Sequence, residues 1–358
     1  MGQIRLQFST VVDYGILAKP GGLSQLPHRL RDLGLGPQVV ILTDETVNSI
    51  YGRDLQRLLQ SQGFRAEIVA FPAGEQHKNL TTVSRIYQAL QEIGADRSTV
   101  VVALGGGVVG DIAGVVAATW QRGLRLVQVP TTLLAQVDSS LGGKAAVNHL
   151  GLKNFVGVFK HPQLVLTDGE LLRTLPDREY ATGLAEVVKT ALLGGPEFWA
   201  YLLGEQRGLL QRDSAVLAQV IKRCVAYKAA VVSRDPEDRG ERRVLNLGHT
   251  LGHAIEELAG KRFSHGQAVS VGLCFALQLS QAIGLPGEVL EQARAMLQGF
   301  GLPVRAPGLE VEQVLDLIPR DKKAVGGITR WVLLGDVGRP LITPDLPADW
   351  QQQLLSLL

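Results

Sequence analysis

Residues 99–111 read TVVVALGGGVVGD and decide how the first half of the chain folds. The apolar run predicts a buried β-strand, and the glycines after it predict a tight turn that opens a helix of small residues. Without Cβ atoms, the backbone of such a turn can approach a pyrophosphate, whose charge then lies at the helix N-terminus. The stretch therefore favours a nucleotide site, and a strand-to-helix turn without a ligand remains the alternative.

Short apolar runs alternate with amphipathic segments on both sides of this stretch. The predicted strands are residues 38–43, 67–71, 99–104, 124–130 and 164–167, and the predicted helices are residues 47–62 and 81–93. Such alternation predicts a parallel sheet covered by helices. Residues 99–120 are not expected to span a membrane, because five glycines interrupt them.

The pattern of apolar residues changes after about residue 176, where long stretches with helical spacing replace the short strand-like runs. These patterns fall on residues 184–193, 215–232, 250–259 and 266–283, and the next strand-like run is residues 331–334. A chain of 358 residues is also long enough for two domains. We expect an α/β nucleotide-binding domain with a parallel sheet in residues 1–177 and a mostly α-helical domain in residues 178–358.

Composition excludes several classes of protein. The 36 Lys and Arg residues nearly balance 34 Asp and Glu residues and form no runs, so no nucleic-acid partner is expected. Cys224 and Cys274 are the two cysteines of the chain, which argues against a disulfide framework and fits a reducing cytoplasm. The opening MGQIRLQFST has no pattern of a secretory signal, and we expect a cytoplasmic protein without a membrane partner.

Polar residues follow several of the predicted strands. Asp44 closes the strand at 38–43, Glu75 and Lys78 follow the strand at 67–71, and Thr131 and Thr132 follow the strand at 124–130. Polar strand ends are what a ligand crevice in an open α/β sheet requires. The glycine turn matches G-x-G-x-x-G, but residues 112–137 contain no acid that could bind a ribose in the usual Rossmann manner.

The helical half carries a group of possible metal ligands. His249 and His253 are four residues apart and lie on one helix face, and Glu186 shares a face with Lys189. His265 begins a further predicted helix with Ser264 as a plausible N-cap. A carboxylate and two imidazoles could bind Zn²⁺ and leave one position open, although spacing does not choose among the three histidines. Core or cap histidines and a Glu186–Lys189 ion pair are the alternatives.

Basic residues suggest an anion site. Asp138, Lys144, Lys153 and Asn154 lie in a glycine-containing segment that we interpret as a loop, which could equally be a solvated surface loop. Further basic candidates, each explicable as a surface charge, are Arg122, Lys228, Arg242, Lys322 and Lys323.

Taken together, these segments resemble the dehydroquinate synthase family. The motifs that carry the resemblance are GGGVVGDIAGVVAATWQRG, VPTTLLAQVDSSLGGKAAVN, GLAEVVKTALL, RRVLNLGHTLGHAIE, FSHGQAV and DKK, in the order of the family over nearly the whole chain. The resemblance implies an α/β nucleotide-binding domain, a helical metal-binding domain and a cytoplasmic homodimer. It also implies NAD and zinc as cofactors, with cobalt as a possible substitute.

The resemblance also assigns roles to individual residues. The implied zinc ligands are Glu186, His249 and His265. The implied NAD contacts are Asp44, Glu75, Lys78, Gly107, Val108, Val109, Gly110, Asp111, Thr131, Thr132, Lys144, Lys153, Leu171, Leu172, Arg173 and Thr174. The implied substrate residues are Asp138, Lys144, Asn154, Lys189, Lys228, Arg242, Asn246, His253 and Lys322, with Lys323 as the less favoured second lysine of DKK. Arg122 would reach the phosphate bound by the neighbouring subunit.

The implied reaction belongs to the shikimate pathway of aromatic amino acid biosynthesis. It converts 3-deoxy-D-arabino-heptulosonate 7-phosphate to 3-dehydroquinate through transient oxidation by NAD, loss of phosphate, reduction and an intramolecular aldol closure. The net outcome is that of a carbon–oxygen lyase. The alternatives are another sugar phosphate cyclase, a metal-dependent polyol dehydrogenase of the same fold, and a non-catalytic NAD-sensing protein.

Overall fold

A parallel sheet with helices on both faces forms the first half of the chain, and the computed structural model describes residues 12–318 and 329–358. The strands of this half are β1 Gly15–Ala18, β2 Gln38–Asp44, β3 Arg65–Phe71, β4 Val100–Gly105, β5 Arg125–Pro130, β6 Lys144–His149, β7 Leu152–Phe159 and β8 Leu164–Thr167. Its helices are α1 Leu26–Asp32, α2 Glu45–Val47, α3 Arg53–Ser61, α4 Leu80–Glu92 and α5 Gly107–Thr119, and a π-helical segment, Asn48–Gly52, joins α2 to α3.

The main sheet has six strands in the order β1-β8-β5-β4-β2-β3, and all neighbours are parallel. Leucines of α1 and α3 cover one face of this sheet, whereas α4, α5 and the β6–β7 hairpin cover the other. Strands β2 and β4 are buried along nearly their whole length, which explains their continuous apolar sequences. The predicted α/β class with a parallel sheet is confirmed.

Lys144, Lys153 and Asn154, which we expected to lie in a loop, instead lie in an antiparallel hairpin of β6 and β7. Leu150 and Gly151 connect the strands as a two-residue turn with φ angles of 51° and 76°. Two positive φ angles give the turn the twist that a hairpin needs. The loop interpretation was wrong because Leu-Gly is an unusual sequence for this turn.

The second half is mostly helical, as predicted. Its helices are α6 Asp177–Gly194, α7 Pro196–Gly204, α8 Gln206–Leu210, α9 Ser214–Arg234, α10 His249–Ala259, α11 His265–Gln281, α12 Gly287–Gly299, α13 Val311–Leu317 and α14 Trp350–Leu355, with a hairpin of β9 Trp331–Asp336 and β10 Arg339–Thr343. Leu133 and Val165 of the first half share a hydrophobic core with Leu184 and Val188 of α6. That common core fixes the two halves against each other around the site described below.

Helix α5 is 13 residues long, so the apolar stretch at 99–120 is a strand, a turn and a short helix. In the part of the chain that the structure describes, no helix combines the length and the hydrophobicity that crossing a bilayer would require.

Candidate metal and nucleotide site

Glu186, His249 and His265 meet at one point between helices α6, α10 and α11. Glu186 Oε1 lies 3.3 Å from His249 Nε2 and 3.1 Å from His265 Nε2, and one ligand atom from each residue lies within 4.8 Å of the others. The Glu186 side chain is fully buried. A carboxylate and two imidazole nitrogens at this separation form a donor set suited to Zn²⁺ or Co²⁺.

The ends of two helices place the histidines. His265 is the first residue of α11, and Ser264 caps that helix in a capping box with Gln267, as the sequence predicted for the cap. His249 is the first residue of α10 and follows Gly248, whose φ of 76° turns the chain into the helix. Both imidazoles therefore sit on backbone that is fixed by a helix start.

Both histidines have a second partner that orients the ring. His249 Nδ1 lies 3.1 Å from the carbonyl oxygen of Leu247, and His265 Nδ1 lies 3.0 Å from Glu256 Oε2. A proton on each Nδ1 satisfies these bonds and leaves both Nε2 atoms directed at Glu186. Metal-binding histidines generally use the distal nitrogen in this way, with a carbonyl or carboxylate behind the ring. The residues therefore fit a bound divalent cation.

The ionisation of the cluster favours a positive charge beside the Glu186 carboxylate. Burial alone would raise the pKa of Glu186, but Lys189 and His249 hold that pKa well below its usual range. Burial lowers the pKa of His249 to about 4, whereas bonds to Glu186 and Glu256 outweigh burial and raise the pKa of His265 to about 10. A cation at Glu186 would displace the proton of His265, so metal binding would release protons.

Lys189, Lys228 and Asp138 form a charged network next to the Glu186 carboxylate. Lys189 Nζ lies 2.5 Å from Glu186 Oε2 and 3.7 Å from Asp138 Oδ2. Lys228 pairs with Asp138 Oδ1 and donates to the Asp138 carbonyl at 2.7 Å. Burial would raise the pKa of Asp138, but Lys228 and Lys189 outweigh it and lower that pKa to about 2. The Glu186–Lys189 pair that we considered as an alternative thus exists beside the cluster.

Arg242 of the second half and Lys144 of β6 both contact the loop at residues 235–240. Arg242 Nη1 donates to the carbonyls of Gly142 and Pro236, both at 3.1 Å, which holds the buried guanidinium in place. Lys144 pairs with Asp238 of the same loop. The guanidinium hydrogen bonds to carbonyl oxygens, so these contacts leave its charge available for an anionic ligand.

Asp235 is the residue that shapes this loop. Its carboxylate accepts hydrogen bonds from the backbone nitrogens of Arg239 and Gly240 at 2.8 Å and of Arg242 at 3.0 Å. The bond from Arg242, together with those from Arg239 and Gly240, outweighs burial and lowers the pKa of Asp235 to about 2. The sequence analysis did not single out Asp235.

The glycine turn lies at a point where the order of strands reverses. The chain passes from β2 to β3 on one side and then to β4 on the other, so the carboxyl ends of β2 and β4 flank a crevice. Ligands bind at such crevices in open α/β sheets. Asp44 ends β2 and accepts from the backbone nitrogen of Val47 at 2.9 Å, and Gly105 ends β4.

The glycines of this turn approach neighbouring side chains closely. A Cβ on Gly106 would lie 3.0 Å from Thr132, and one on Gly107 would lie 3.1 Å from Ser139. Lys78 is buried and pairs with Asp111 in the first turns of α5. Amide groups at the start of α5, with Thr131 and Thr132 beside them, form a backbone surface that fits a pyrophosphate.

Several predicted site residues contact one another near the glycine turn or near the histidines of the metal cluster. Lys78 donates to Asn154, Glu75 accepts from Asn148 at 2.8 Å, and Lys153 pairs with Glu256 at 2.6 Å. The His253 ring centroid lies 5.4 Å from that of His249 and 6.5 Å from that of His265. Asn246 ends the short helical segment Glu241–Asn246, which leads to His249.

Other predicted contacts point elsewhere or lie outside the described residues. The side chains of Val109, Leu171 and Leu172 are packed in hydrophobic cores, so only their backbones could face a ligand. Val108 packs partly against the same core as Val109, and Gly110 follows them in α5. Arg173 pairs with Glu170 at 2.8 Å, and Thr174 bonds to Tyr51 at 2.6 Å. Lys322 and Lys323 are not among the described residues.

Arg122 does not join the site of its own chain. It is exposed and follows the C-terminal end of α5, so the length of that helix, about 20 Å, separates it from the glycine turn.

The sequence analysis missed Glu256, the carboxylate behind His265. A usable signal was present, because Glu256 follows His249 by seven residues and His253 by three. That spacing places it on the same face of a helix as the two histidines.

Known families and proteins match nearly the whole chain. The family described as 3-dehydroquinate synthase N-terminal matches residues 68–182, and the family described as 3-dehydroquinate synthase C-terminal matches residues 183–324. The 3-dehydroquinate synthase of Dehalococcoides mccartyi is 42% identical over 335 residues, which cover 93% of each chain.

Two solved structures of cyclases share the fold. The 2-epi-5-epi-valiolone synthase of Streptomyces hygroscopicus subsp. jinggangensis, with NAD⁺ and Zn²⁺ bound, superposes with a TM-score of 0.90 over 99% of each chain at 26% identity. A 2-deoxy-scyllo-inosose synthase complexed with carbaglucose-6-phosphate, NAD⁺ and Co²⁺ superposes with a TM-score of 0.86 over 96% of each chain, also at 26% identity.

Proposed function

The chain belongs to the 3-dehydroquinate synthase family, and from this premise we propose how its residues carry out the reaction of that family. The reaction converts 3-deoxy-D-arabino-heptulosonate 7-phosphate to 3-dehydroquinate and phosphate. The elimination of phosphate, which breaks a carbon–oxygen bond, makes the enzyme a lyase. The observation that supports the proposal most strongly is the convergence of Glu186, His249 and His265 beside a buried cluster of lysines.

Glu186, His249 and His265 would hold the divalent cation, and the glycine turn would hold NAD. The two cyclase structures are described with NAD⁺ and with Zn²⁺ or Co²⁺, which supports both assignments. When bound, the cation polarises the hydroxyl that is oxidised, and NAD accepts a hydride and later returns it. That the residues around Asp44, Lys78, Gly107 and Thr131 contact NAD stays a prediction.

The remaining charged residues would bind and orient the substrate. Lys189, Lys228 and Arg242 are buried cations that suit its phosphate and carboxylate, and Lys144 is a cation at the exposed rim. Asp138 pairs with both Lys189 and Lys228 and so fixes their positions. Asn154, Asn246 and His253 would complete the polar surface. Holding one flexible molecule in a reactive geometry can lower a barrier by about 7 to 11 kcal/mol.

The enzyme would act as a homodimer. The β6–β7 hairpin exposes a group of large apolar side chains, namely Leu150, Leu152, Phe155, Val158 and Phe159. Exposed apolar patches of this kind mark interaction surfaces. Gly123, next to Arg122, lies beside Lys160 at the end of this hairpin, so a second copy covering the patch would meet Arg122. Both cysteines are buried and unpaired, which supports a cytoplasmic location.

Other cyclases of this fold are the closest alternative. The chain is 42% identical to a 3-dehydroquinate synthase and 26% identical to the two cyclases that make other carbocycles. The higher identity favours the heptulosonate phosphate as substrate. A polyol dehydrogenase would instead release one NADH for each molecule of substrate consumed.

Product analysis tests the proposal. We expect the purified enzyme, given the heptulosonate phosphate with a trace of NAD⁺ and Zn²⁺, to release one phosphate for each molecule of 3-dehydroquinate, identified by mass spectrometry and NMR. Formation of a different carbocycle, or accumulation of NADH in proportion to phosphate, would refute the proposed function.

A further inference from the structure

Glu256 lies between the candidate metal cluster and the hairpin of the first half. Its Oε2 is 3.0 Å from His265 Nδ1, and its Oε1 is 2.6 Å from Lys153 Nζ. The Glu256 side chain is 19% exposed, whereas that of Lys153 is 55% exposed. One carboxylate thus contacts a residue of each half of the chain.

The first contact acts on the metal cluster. An acceptor at Nδ1 selects the tautomer of His265 that presents Nε2 to Glu186, and it limits rotation of the ring. His249 has a backbone carbonyl in the same role, which no substitution of a side chain removes. Glu256 is therefore a side chain through which the orientation of His265 can be altered without changing a ligand.

The second contact acts on the nucleotide side. Lys153 belongs to β7, and its neighbour Asn154 accepts a hydrogen bond from Lys78. Lys78 in turn pairs with Asp111 in α5, the helix that begins at the glycine turn. The hairpin also packs on α5 directly, because a Cβ at Gly114 would collide with Ala145. A series of polar contacts, joined by the backbone between Lys153 and Asn154, thus runs from His265 to Asp111 of α5.

We propose that Glu256 is a positioning residue that couples cation binding at His265 to NAD binding at the glycine turn, through Lys153. This inference rests on the proposed function, because it takes the cation and NAD as the two ligands. A cation that holds His265 also holds Glu256 and Lys153, and so it orders the hairpin beside the nucleotide. Each ligand should therefore tighten binding of the other by the same factor.

Typical values from other proteins indicate how large the changes in metal affinity and in coupling should be. Removing the partner behind a metal-binding histidine typically weakens metal binding 10- to 100-fold. Coupling between two binding sites typically amounts to about 5- to 150-fold. We expect values in these ranges for Glu256→Ala and for the wild-type coupling factor.

Four variants separate the two contacts. Glu256→Ala removes both, Glu256→Gln keeps an acceptor for His265 but loses the ion pair with Lys153, and Lys153→Met removes the ion pair while Glu256 stays behind His265. Glu257→Gln is the matched control, since it neutralises the exposed next carboxylate on the same helix. Thermal melting of each protein establishes that it is folded.

Three measurements on these proteins test the coupling. Zn²⁺ affinity is measured by competition with a chelator, and NAD⁺ affinity by calorimetry with and without saturating Zn²⁺. The visible spectrum of the Co²⁺-substituted protein reports the geometry of the ligands, which a general loss of stability would not shift. The ratio of the two NAD⁺ dissociation constants is the coupling factor, and it separates coupling from any direct contact of Lys153 with NAD⁺.

We expect Zn²⁺ to tighten NAD⁺ binding at least fivefold in the wild type and in Glu257→Gln. The factor should fall towards one in the other three variants. Zn²⁺ affinity and the Co²⁺ spectrum should change most in Glu256→Ala. The inference is overturned if the wild-type factor is one, or if Glu256→Ala or Lys153→Met keeps the wild-type factor. A wild-type protein that binds no Zn²⁺ would overturn the proposed function as well.

Discussion

Lys144 shows how a single charge can set the preference of the site for an anion. Its ammonium pairs with Asp238 and is 49% exposed, so it stands where a ligand could enter. Asp238 adopts a φ of 57°, and its Oδ1 is buried without a hydrogen-bond partner among the described residues. Removing the lysine would leave a carboxylate facing the incoming substrate.

We predict that Lys144→Ala weakens binding of the heptulosonate phosphate about 10- to 100-fold, the range expected when a charged hydrogen bond of about 1.5–3 kcal/mol is lost. NAD⁺ binding should be largely retained, because Lys144 is one of sixteen residues implied to contact NAD and the other fifteen remain. Calorimetry with each ligand measures both constants, and Lys19→Ala, at an exposed position, is the control. An unchanged dissociation constant for the substrate would contradict the assignment of Lys144.

The chemistry of individual residues could be read from the sequence only up to a point. Helical spacing put His249 and His253 on one face, and their rings do lie 5.4 Å apart. Spacing could not choose among three histidines, because the choice depends on how α6, α10 and α11 pack. The family resemblance named Glu186, His249 and His265, and the structure brings these three together. Their binding of a cation stays a prediction.

At the scale of elements, close contact between α10 and α11 sets the distance between the two imidazoles. A Cβ on Gly272 of α11 would collide with the backbone oxygen of Gly248, and one on Gly252 would lie 3.3 Å from the carbonyl of Ala268. Glycines at these positions let the two helix backbones meet. His249 and His265, at the starts of these helices, depend on that approach.

We predict that Gly272→Ala destabilises the protein by about 1–3 kcal/mol, because the added methyl group must displace backbone. It should also weaken Zn²⁺ binding, since α10 and His249 move away from His265. Denaturant unfolding and chelator competition measure the two effects. Gly299→Ala, where no atom lies within 4 Å of the added Cβ, should be neutral or slightly stabilising. Equal effects of the two substitutions would contradict the account of this contact.

Elements with strong periodicity were predictable, whereas those fixed by tertiary pairing were not. The buried strands and the long helices follow from their apolar patterns. The edge strand β1 is only four residues long and becomes a strand by pairing with β8. The β6–β7 hairpin exposes many apolar residues, so it lacks the alternation that identifies a half-buried strand.

At the scale of the whole molecule, the sequence correctly predicted a parallel sheet followed by a helical half. It did not predict that both halves share one hydrophobic core around α6, because contacts between distant segments leave no local pattern. The domain division at residues 177 and 178 stays a prediction. The exposed apolar face of the hairpin acquires a role only if a second copy covers it.

We predict that Phe159→Asp converts a dimer into a monomer, because a buried charge at an apolar interface is costly. Light scattering measures the mass in solution. Leu210→Asp is the control, since Leu210 is 53% exposed on α8 and Phe159 is 46% exposed on β7. A wild-type monomer, or a Phe159→Asp variant that stays dimeric, would contradict the proposed interface.

The account as a whole depends on a cation held by three residues from three helices. The most direct measurement is the zinc content of Glu186→Gln after dialysis, read with its rate of phosphate release. We expect the wild type to hold about one zinc for each chain. A chelator should stop its phosphate release, and added Zn²⁺ should restore it. Glu186→Gln, which keeps the shape but loses the charge, should retain almost no zinc and no turnover. Wild-type zinc content and rate in that variant would contradict the account.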